Sequence, residues 1–261
     1  MKKSTLKKIG KWALRLFLFW CFLLLMQFLI IAVPYPFFSE KLEYKNYILY
    51  SDAEIDSSFY QILDNVDKRL DAVEINKPTL IHRLFLCQNE KLFRFFAFIS
   101  ETDYPQQGFN GTFFGKIFLS DEFITKVQTV NKGHDEITQY SFLEGSVEEI
   151  ITHEIVHTLT YEMLEFSEYR SLPFWKMEGY AEYAANIALI KKDTLYDLHK
   201  RVESLNDDSF WGSDFGVLRH YYRSQILIEY LSEIKGLSFN DIVADDIKEA
   251  EVVKELKEWN K

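Results

Sequence analysis

Apolar residues form one unbroken run near the N-terminus and are interspersed with polar residues in the rest of the chain. Residues 17–33 are apolar except for Gln27, and residues 16–39 carry no charge. A run of this length is near the lower limit for a helix that crosses about 30 Å of hydrocarbon. The pattern predicts a transmembrane anchor at residues 16–36.

None of the 40 acidic side chains precedes this run. Six basic side chains do, namely Lys2, Lys3, Lys7, Lys8, Lys11 and Arg15. The positive-inside rule therefore predicts a cytoplasmic tail at residues 1–15, a single-pass protein of the cell membrane, and an extracytoplasmic domain at residues 37–261. A cleaved signal peptide is the alternative. We favour an uncleaved anchor, because the run exceeds the usual signal-peptide length and no A-x-A site follows it.

Residues 37–145 show strand and helix patterns in turn. Residues 47–50 read as a strand, and a helix beginning at Asp56 has apolar residues at helical spacing as far as Val73. Residues 79–98 predict one or two strands, and residues 115–120 predict another after a turn at 109–112. This part is expected to form a mixed α/β lobe with a small mixed sheet.

Residues 146–261 are predicted to be mainly helical. Ser146 and Glu149 form a capping-box pattern at the start of one helix, and Pro173 begins a second that continues to Ile190. Further helices are expected at residues 195–204, 217–235 and 246–259. The fold class is therefore α+β, with one domain following the anchor.

Candidate chemistry begins with an HExxH segment formed by His153, Glu154 and His157. Residues four apart lie on one face of a helix, so both imidazoles can reach a single zinc ion. Glu154 is rotated by about 100° and can reach a metal-bound water instead.

A catalytic zinc needs a third protein ligand. Glu178 and Glu182 are four residues apart on the second predicted helix. This spacing suggests that Glu178 binds the metal while Glu182 accepts a hydrogen bond from the distal nitrogen of a ligand histidine.

The segment from Trp175 to Tyr183, read with the HExxH segment, resembles the gluzincin zinc metallopeptidases and in particular their peptidase MA-like branch, with its W-x-x-E-G-x-A-x-Y stretch. The resemblance implies that His153, His157 and Glu178 bind Zn²⁺ and that Glu154 is the general base. It also implies a zincin-like fold with an edge strand above the active-site helix. We expect residues 115–120 to be that strand and to bind extended substrate. A metzincin is excluded, because the chain lacks the glycine and third histidine of that motif.

Gluzincins commonly use a Tyr or His on a later helix to stabilise the oxyanion. The segment from Leu218 to Leu231 is similar to that helix and selects Tyr221, although Arg223 stands where glutamine is usual. His220 and Tyr222 are adjacent, and only some of these side chains can face the cleft.

The net charge excludes one class of partner, and the remaining cysteine and histidines are not expected to have a chemical role. The chain beyond the anchor is strongly acidic, which argues against binding nucleic acid. Cys87 is expected to be a buried thiol, and three further histidines, His82, His134 and His199, are expected to be structural or solvated.

The expected function is that of a membrane-anchored zinc metallopeptidase, which hydrolyses peptide or protein substrates with a water that Glu154 activates. Two alternatives stay open. One is a zinc-stabilised domain that binds peptides or partners without turnover, and the other is a zinc hydrolase acting on cell-wall peptides.

Overall fold

The computed structural model describes residues 3–100, 107–111, 115–121, 146–190, 198–204, 217–244 and 246–260. Its first element is a helix, α1 (Lys3–Ala32), followed by a 3₁₀ turn (Tyr35–Phe37). Within α1, the segment Lys11–Ala32 is long and apolar enough to cross a membrane, and it is not buried by the rest of the protein. The helix extends further towards the N-terminus than the apolar run, because lysine and arginine are also good helix formers.

A five-stranded mixed sheet follows, in the order β1-β2-β3-β5-β4. Its strands are β1 (Glu40–Tyr44), β2 (Tyr47–Ser51), β3 (His82–Cys87), β4 (Gly108–Gly111) and β5 (Lys116–Ser120). The central pairs β2·β3 and β3·β5 are parallel, whereas the outer pairs β1·β2 and β4·β5 are antiparallel. The expected small mixed sheet is therefore present.

The prediction that residues 79–98 form only strands is wrong in its second half. After β3 the chain forms a helix, α3 (Glu90–Ile99), whose N-cap Asn89 accepts a hydrogen bond from the backbone N–H of Lys91. The other helix of this lobe, α2 (Ser58–Leu70), lies between β2 and β3 in the chain. Aromatic residues favour strands locally, but those of α3 recur at helical spacing and bury Phe93 and Phe96 against the sheet.

The prediction that residues 115–120 form the edge strand is also wrong. β5 lies between β3 and β4, and all five of its residues are buried. Within the described residues, β4 is the outer strand on that side, where the sequence suggested a turn at 109–112. A strand whose residues are all buried, with an apolar centre such as Ile117 to Leu119, belongs inside a sheet with both faces covered.

Helices cover both faces of the sheet. Side chains such as Leu84, Ile117 and Leu119 lie in the larger core with α2 and the helices of the C-terminal part. Phe85 and Phe118 point to the other face, where they pack with α3 and the residues that follow α1. Alternate residues of a strand face opposite sides, so the sheet separates these two cores.

The described residues of the C-terminal part are mainly helical, as expected. Its helices are α4 (Val147–Met163), α5 (Phe166–Ser171), α6 (Phe174–Ile190), α7 (Leu198–Ser204), α8 (Val217–Glu229), α9 (Phe239–Val243) and α10 (Glu249–Trp259), with a π-helical turn (Tyr230–Ile234) after α8. Ser146 caps α4 by accepting a hydrogen bond from the backbone N–H of Glu149. The predicted start of the α7 helix at residue 195 lies outside the described residues.

Candidate metal centre

The two histidines of the HExxH segment converge on one point. His153 and His157 lie one turn apart on α4, with their Nε2 atoms 3.0 Å apart. Their rings are nearly perpendicular, and the ring centroids are 4.7 Å apart. Two ring nitrogens this close need a proton or a cation between them, because their lone pairs otherwise repel each other.

Glu178 on α6 completes a three-residue group. A single carboxylate oxygen, Oε2, lies 3.2 Å from Nε2 of His153 and 3.3 Å from Nε2 of His157. Tetrahedral zinc with bonds of about 2.0–2.1 Å separates its ligand atoms by about 3.3–3.4 Å. The three donor atoms are thus 3.0, 3.2 and 3.3 Å apart, and these residues could hold a metal ion.

Glu182 lies behind His153, one turn along α6 from Glu178. Its Oε1 is 3.1 Å from Nδ1 of His153. This distance is that of an ion pair and the pair does not have hydrogen-bond geometry, but a carboxylate beside the distal nitrogen Nδ1 favours the tautomer that leaves Nε2 available for a metal.

Glu149 and Asn186 form a second polar contact between α4 and α6, whose role the sequence did not predict. Asn186 donates a hydrogen bond to Oε1 of Glu149, at 2.7 Å. Burial first, and then the negative charge of Glu182, raise the pKa of Glu149 to about 7. The signal was present in the sequence, because Glu149 lies four residues before His153 and Asn186 lies four residues after Glu182.

The charges of the cluster are strongly interdependent. Burial opposes protonation of His153, but the neighbouring carboxylates of Glu182 and Glu178 outweigh it and raise its pKa well above the usual value. Burial would raise the pKa of Glu178, but the two histidines hold it well below its usual range. Without metal, His153 thus favours its protonated form, and a bound metal cation would replace that proton.

Glu154 is buried beside the three donors and 8% exposed. Burial raises the pKa of its carboxyl group, and the two neighbouring histidines oppose that rise. Asn110 on β4 donates a hydrogen bond to the backbone carbonyl of Glu154 and another, at 2.7 Å, to Oγ1 of Thr158. The outer strand is thereby fixed to the helix that carries both histidines, a contact that the sequence did not predict.

Tyr221 on α8 lies beside the donors. Its ring centroid is 6.2 Å from that of His153 and 5.3 Å from that of Phe174. The adjacent Tyr222 is 2% exposed and belongs to the core. Of the two tyrosines, the structure therefore brings Tyr221 to the site.

A close contact between α6 and α8 makes this placement possible. A Cβ atom added at Gly179 would lie 2.6 Å from the backbone oxygen of Ser224. Only glycine permits such an approach of two backbones. Gly179 follows Glu178 directly, so the contact holds the third donor and Tyr221 in one packed unit.

The other histidines and the cysteine considered in the sequence analysis do not belong to the metal-binding group, as far as the structure describes them. His82 is buried on β3, and burial lowers its pKa to about 4. His199 stacks on Trp259, with ring centroids 3.7 Å apart. Cys87 is a buried free thiol, as expected. His134 lies outside the described residues.

Comparison of the chain with protein-family models and with curated proteins finds no match.

Proposed function

We propose that this protein is a zinc-dependent metallopeptidase of gluzincin type, with a zincin-like catalytic domain at residues 37–261. The observation that carries the proposal is the triangle formed by His153, His157 and Glu178, whose sides of 3.0, 3.2 and 3.3 Å lie at or slightly below the ligand separation of about 3.3–3.4 Å in tetrahedral zinc. Two neutral imidazoles and one carboxylate are the donor set of a catalytic zinc site that keeps one position open.

Glu154 serves as the general base. A zinc ion held by the three donors would acidify a water molecule and polarise the scissile carbonyl. The buried carboxylate of Glu154, with its raised pKa, accepts the proton of the attacking water at a side-chain oxygen and returns it to the leaving amine. A carboxylate that favours protonation is suited to hold that proton between the two steps.

Two further side chains have supporting roles. Glu182 positions His153 through the contact with Nδ1. Tyr221 donates a hydrogen bond from its hydroxyl group to the oxyanion of the tetrahedral intermediate, a role supported by its position beside His153.

The substrate is a peptide or protein in extended conformation. Because β5 is internal, we assign the strand beside the substrate to β4, whose Asn110 is bonded to α4 next to the proposed base. A strand at the side of a sheet can align an extended peptide by backbone hydrogen bonds.

We further propose that α1 anchors the enzyme in the cell membrane, with the N-terminus cytoplasmic and the catalytic domain outside. The length and apolar composition of Lys11–Ala32 and the basic residues before it support this orientation.

The decisive experiment replaces the base and leaves the donors intact. The zinc-loaded full-length protein in detergent should hydrolyse members of a peptide library, and Glu154→Gln should retain zinc while losing at least about 100-fold in kcat. Glu148→Gln is the matched control, because Glu148 lies on the same helix and accepts a hydrogen bond from Asn65 on α2. Its activity should equal that of the wild type.

Each other outcome has a definite meaning. Full activity of Glu154→Gln contradicts the mechanism. A wild-type protein that binds zinc yet cleaves neither the library nor cell-wall peptides is a binding domain, and cleavage of cell-wall peptides alone moves the substrate to that class.

A further inference from the structure

Within the described residues, the apolar segment of α1 is in contact with the rest of the protein only near its C-terminal end. Residues 11–26 are exposed, whereas Gln27 is partly buried and donates a hydrogen bond of 2.6 Å to the backbone carbonyl of Ile99. Gln27 lies five residues before Ala32, or about 8 Å along the helix axis. The C-terminal end of α3 therefore lies beside the candidate membrane span, within its apolar length.

The outward side of α3 changes character along the helix. Near the N-terminus it carries Lys91 and Arg94, and Arg94 forms an ion pair with Glu90. Further along it carries Phe95, which is 37% exposed, and Phe98, which is 82% exposed. The aromatic end is the one that Gln27 contacts, so the polarity of α3 decreases towards the span.

A third aromatic residue extends this surface. Phe37, which is 41% exposed in the turn after α1, has its ring centroid 5.9 Å from that of Phe95. We call Phe37, Phe95 and Phe98 the aromatic patch. The patch lies next to the end of α1, where Phe28 and Leu29 are also exposed, and adjacent exposed apolar side chains mark contact surfaces.

We propose that the aromatic patch and the C-terminal half of α3 insert into the lipid leaflet from which α1 emerges. The proposal rests on the membrane anchor proposed above and adds a second membrane contact to it. Lipid is the occupant because the patch is joined to the span through Gln27 and the turn at Phe37, so a bilayer that surrounds α1 also reaches Phe98. Interfacial helices bury aromatic residues at the boundary of headgroups and acyl chains, with basic residues on their polar side.

This contact fixes the orientation of the active site. The sheet separates α3 from α4, so a seated α3 places the metal centre on the opposite side of the sheet. At the outer strand, Ile31 of α1 lies 3.8 Å from where a Cβ atom of Gly111 would be, and the neighbouring Asn110 is bonded to α4. Two contacts, one through α3 and one between β4 and the end of α1, thus fix the position of the catalytic domain relative to the membrane.

The test uses an environment-sensitive nitrobenzoxadiazole label on single cysteines of the full-length protein, reconstituted into phosphatidylcholine vesicles. One sample carries the label on the natural Cys21 of the span. The other two combine Cys21→Ser with either Phe98→Cys or, as matched control, Phe166→Cys. Phe166 is a phenylalanine of α5 that is 47% exposed, and Cys87 is 1% exposed and should not react. Circular dichroism and zinc content check that each variant is folded.

We expect labels at positions 21 and 98 to show blue-shifted emission. Nitroxide-labelled lipids should quench the fluorescence intensity of both labels. Nitroxides near the lipid headgroups should quench the label at 98 most strongly, whereas nitroxides deep in the acyl chains should quench the label at 21 most strongly. The label at 166 should keep the emission that it has in water.

Three results would overturn the proposal. A water-like label at 98 with a quenched label at 21 refutes the insertion of α3 and leaves the anchor standing. A blue-shifted label at 98 that lipids do not quench shows that protein, such as a second copy of the chain, covers the patch. A water-like label at 21 refutes the anchor itself, and the insertion of α3 with it.

Discussion

Replacing Gly179 by alanine should weaken metal binding without changing any donor. The added Cβ would lie 2.6 Å from the oxygen and 2.7 Å from the carbon of the Ser224 carbonyl group, whereas ordinary contact begins near 3.4 Å. Both are backbone atoms that cannot rotate away. Helices α6 and α8 would therefore have to separate by up to about 0.8 Å at this point.

The expected magnitude follows from this displacement. Overpacking of a core contact costs about 1–3 kcal/mol, and the higher helix propensity of alanine returns about 1 kcal/mol. The middle of these ranges leaves a net loss of about 1 kcal/mol, which would lower Tm by about 2–4 °C in a domain of this size. Zinc sites tolerate deviations of only about 0.2 Å, and Glu178 is the adjacent residue, so zinc affinity should fall at least about tenfold.

The assay compares this variant with Gly236→Ala. Gly236 has a positive φ of 68° and no atom within 4 Å of an added Cβ, so alanine there costs about 1–2 kcal/mol by backbone strain alone. Thermal unfolding of the metal-free proteins and competition with a chromophoric zinc chelator are measured in detergent. Equal zinc affinity in the two variants, or an unchanged Tm for Gly179→Ala, would refute the reasoning.

Three further predictions concern the neighbours of the donors. Glu182→Gln should lower zinc affinity about 10–100-fold in the chelator competition, because a neutral amide orients and polarises His153 less well; unchanged affinity would contradict its role. Tyr221→Phe should lower kcat about 100-fold while KM and zinc content stay constant, and a change in KM alone would indicate substrate binding instead. In the metal-free protein, Glu149 binds a proton up to about pH 7 that the unfolded chain releases near 4.5, so stability should fall as pH rises through that window. Glu149→Gln, which keeps the hydrogen bond from Asn186, should flatten this dependence of Tm on pH, and an equal slope in both proteins would show that Glu149 is not its source.

The spacing of the donors could be predicted because it depends only on local geometry. His153 and His157 face one point in any α-helix, and the same holds for Glu178 and Glu182. That the two pairs meet was predicted from the spacing of Glu178 and Glu182 and from the resemblance, and the structure brings the ligand atoms of His153, His157 and Glu178 within 4.8 Å of one another. The apolar helix near the N-terminus was equally predictable, because its composition is uniform over the length of a span.

Errors arose where distant residues decide the local structure. Residues 90–99 are rich in phenylalanine, which favours strands, yet packing of Phe93 and Phe96 on the sheet selects a helix. Residues 115–120 read correctly as a strand, but strand order depends on pairing between residues far apart in sequence, which a local pattern does not encode.

The sequence by itself therefore determined the elements that carry the candidate chemistry, their donors and the apolar helix. Only the tertiary structure decided that β4 is the outer strand fixed to α4, that Gly179 brings α6 and α8 together, and that α3 lies against α1. The physical reason is that helical periodicity is a property of neighbouring residues. Close backbone approach and strand order, in contrast, result from packing among segments that are remote along the chain.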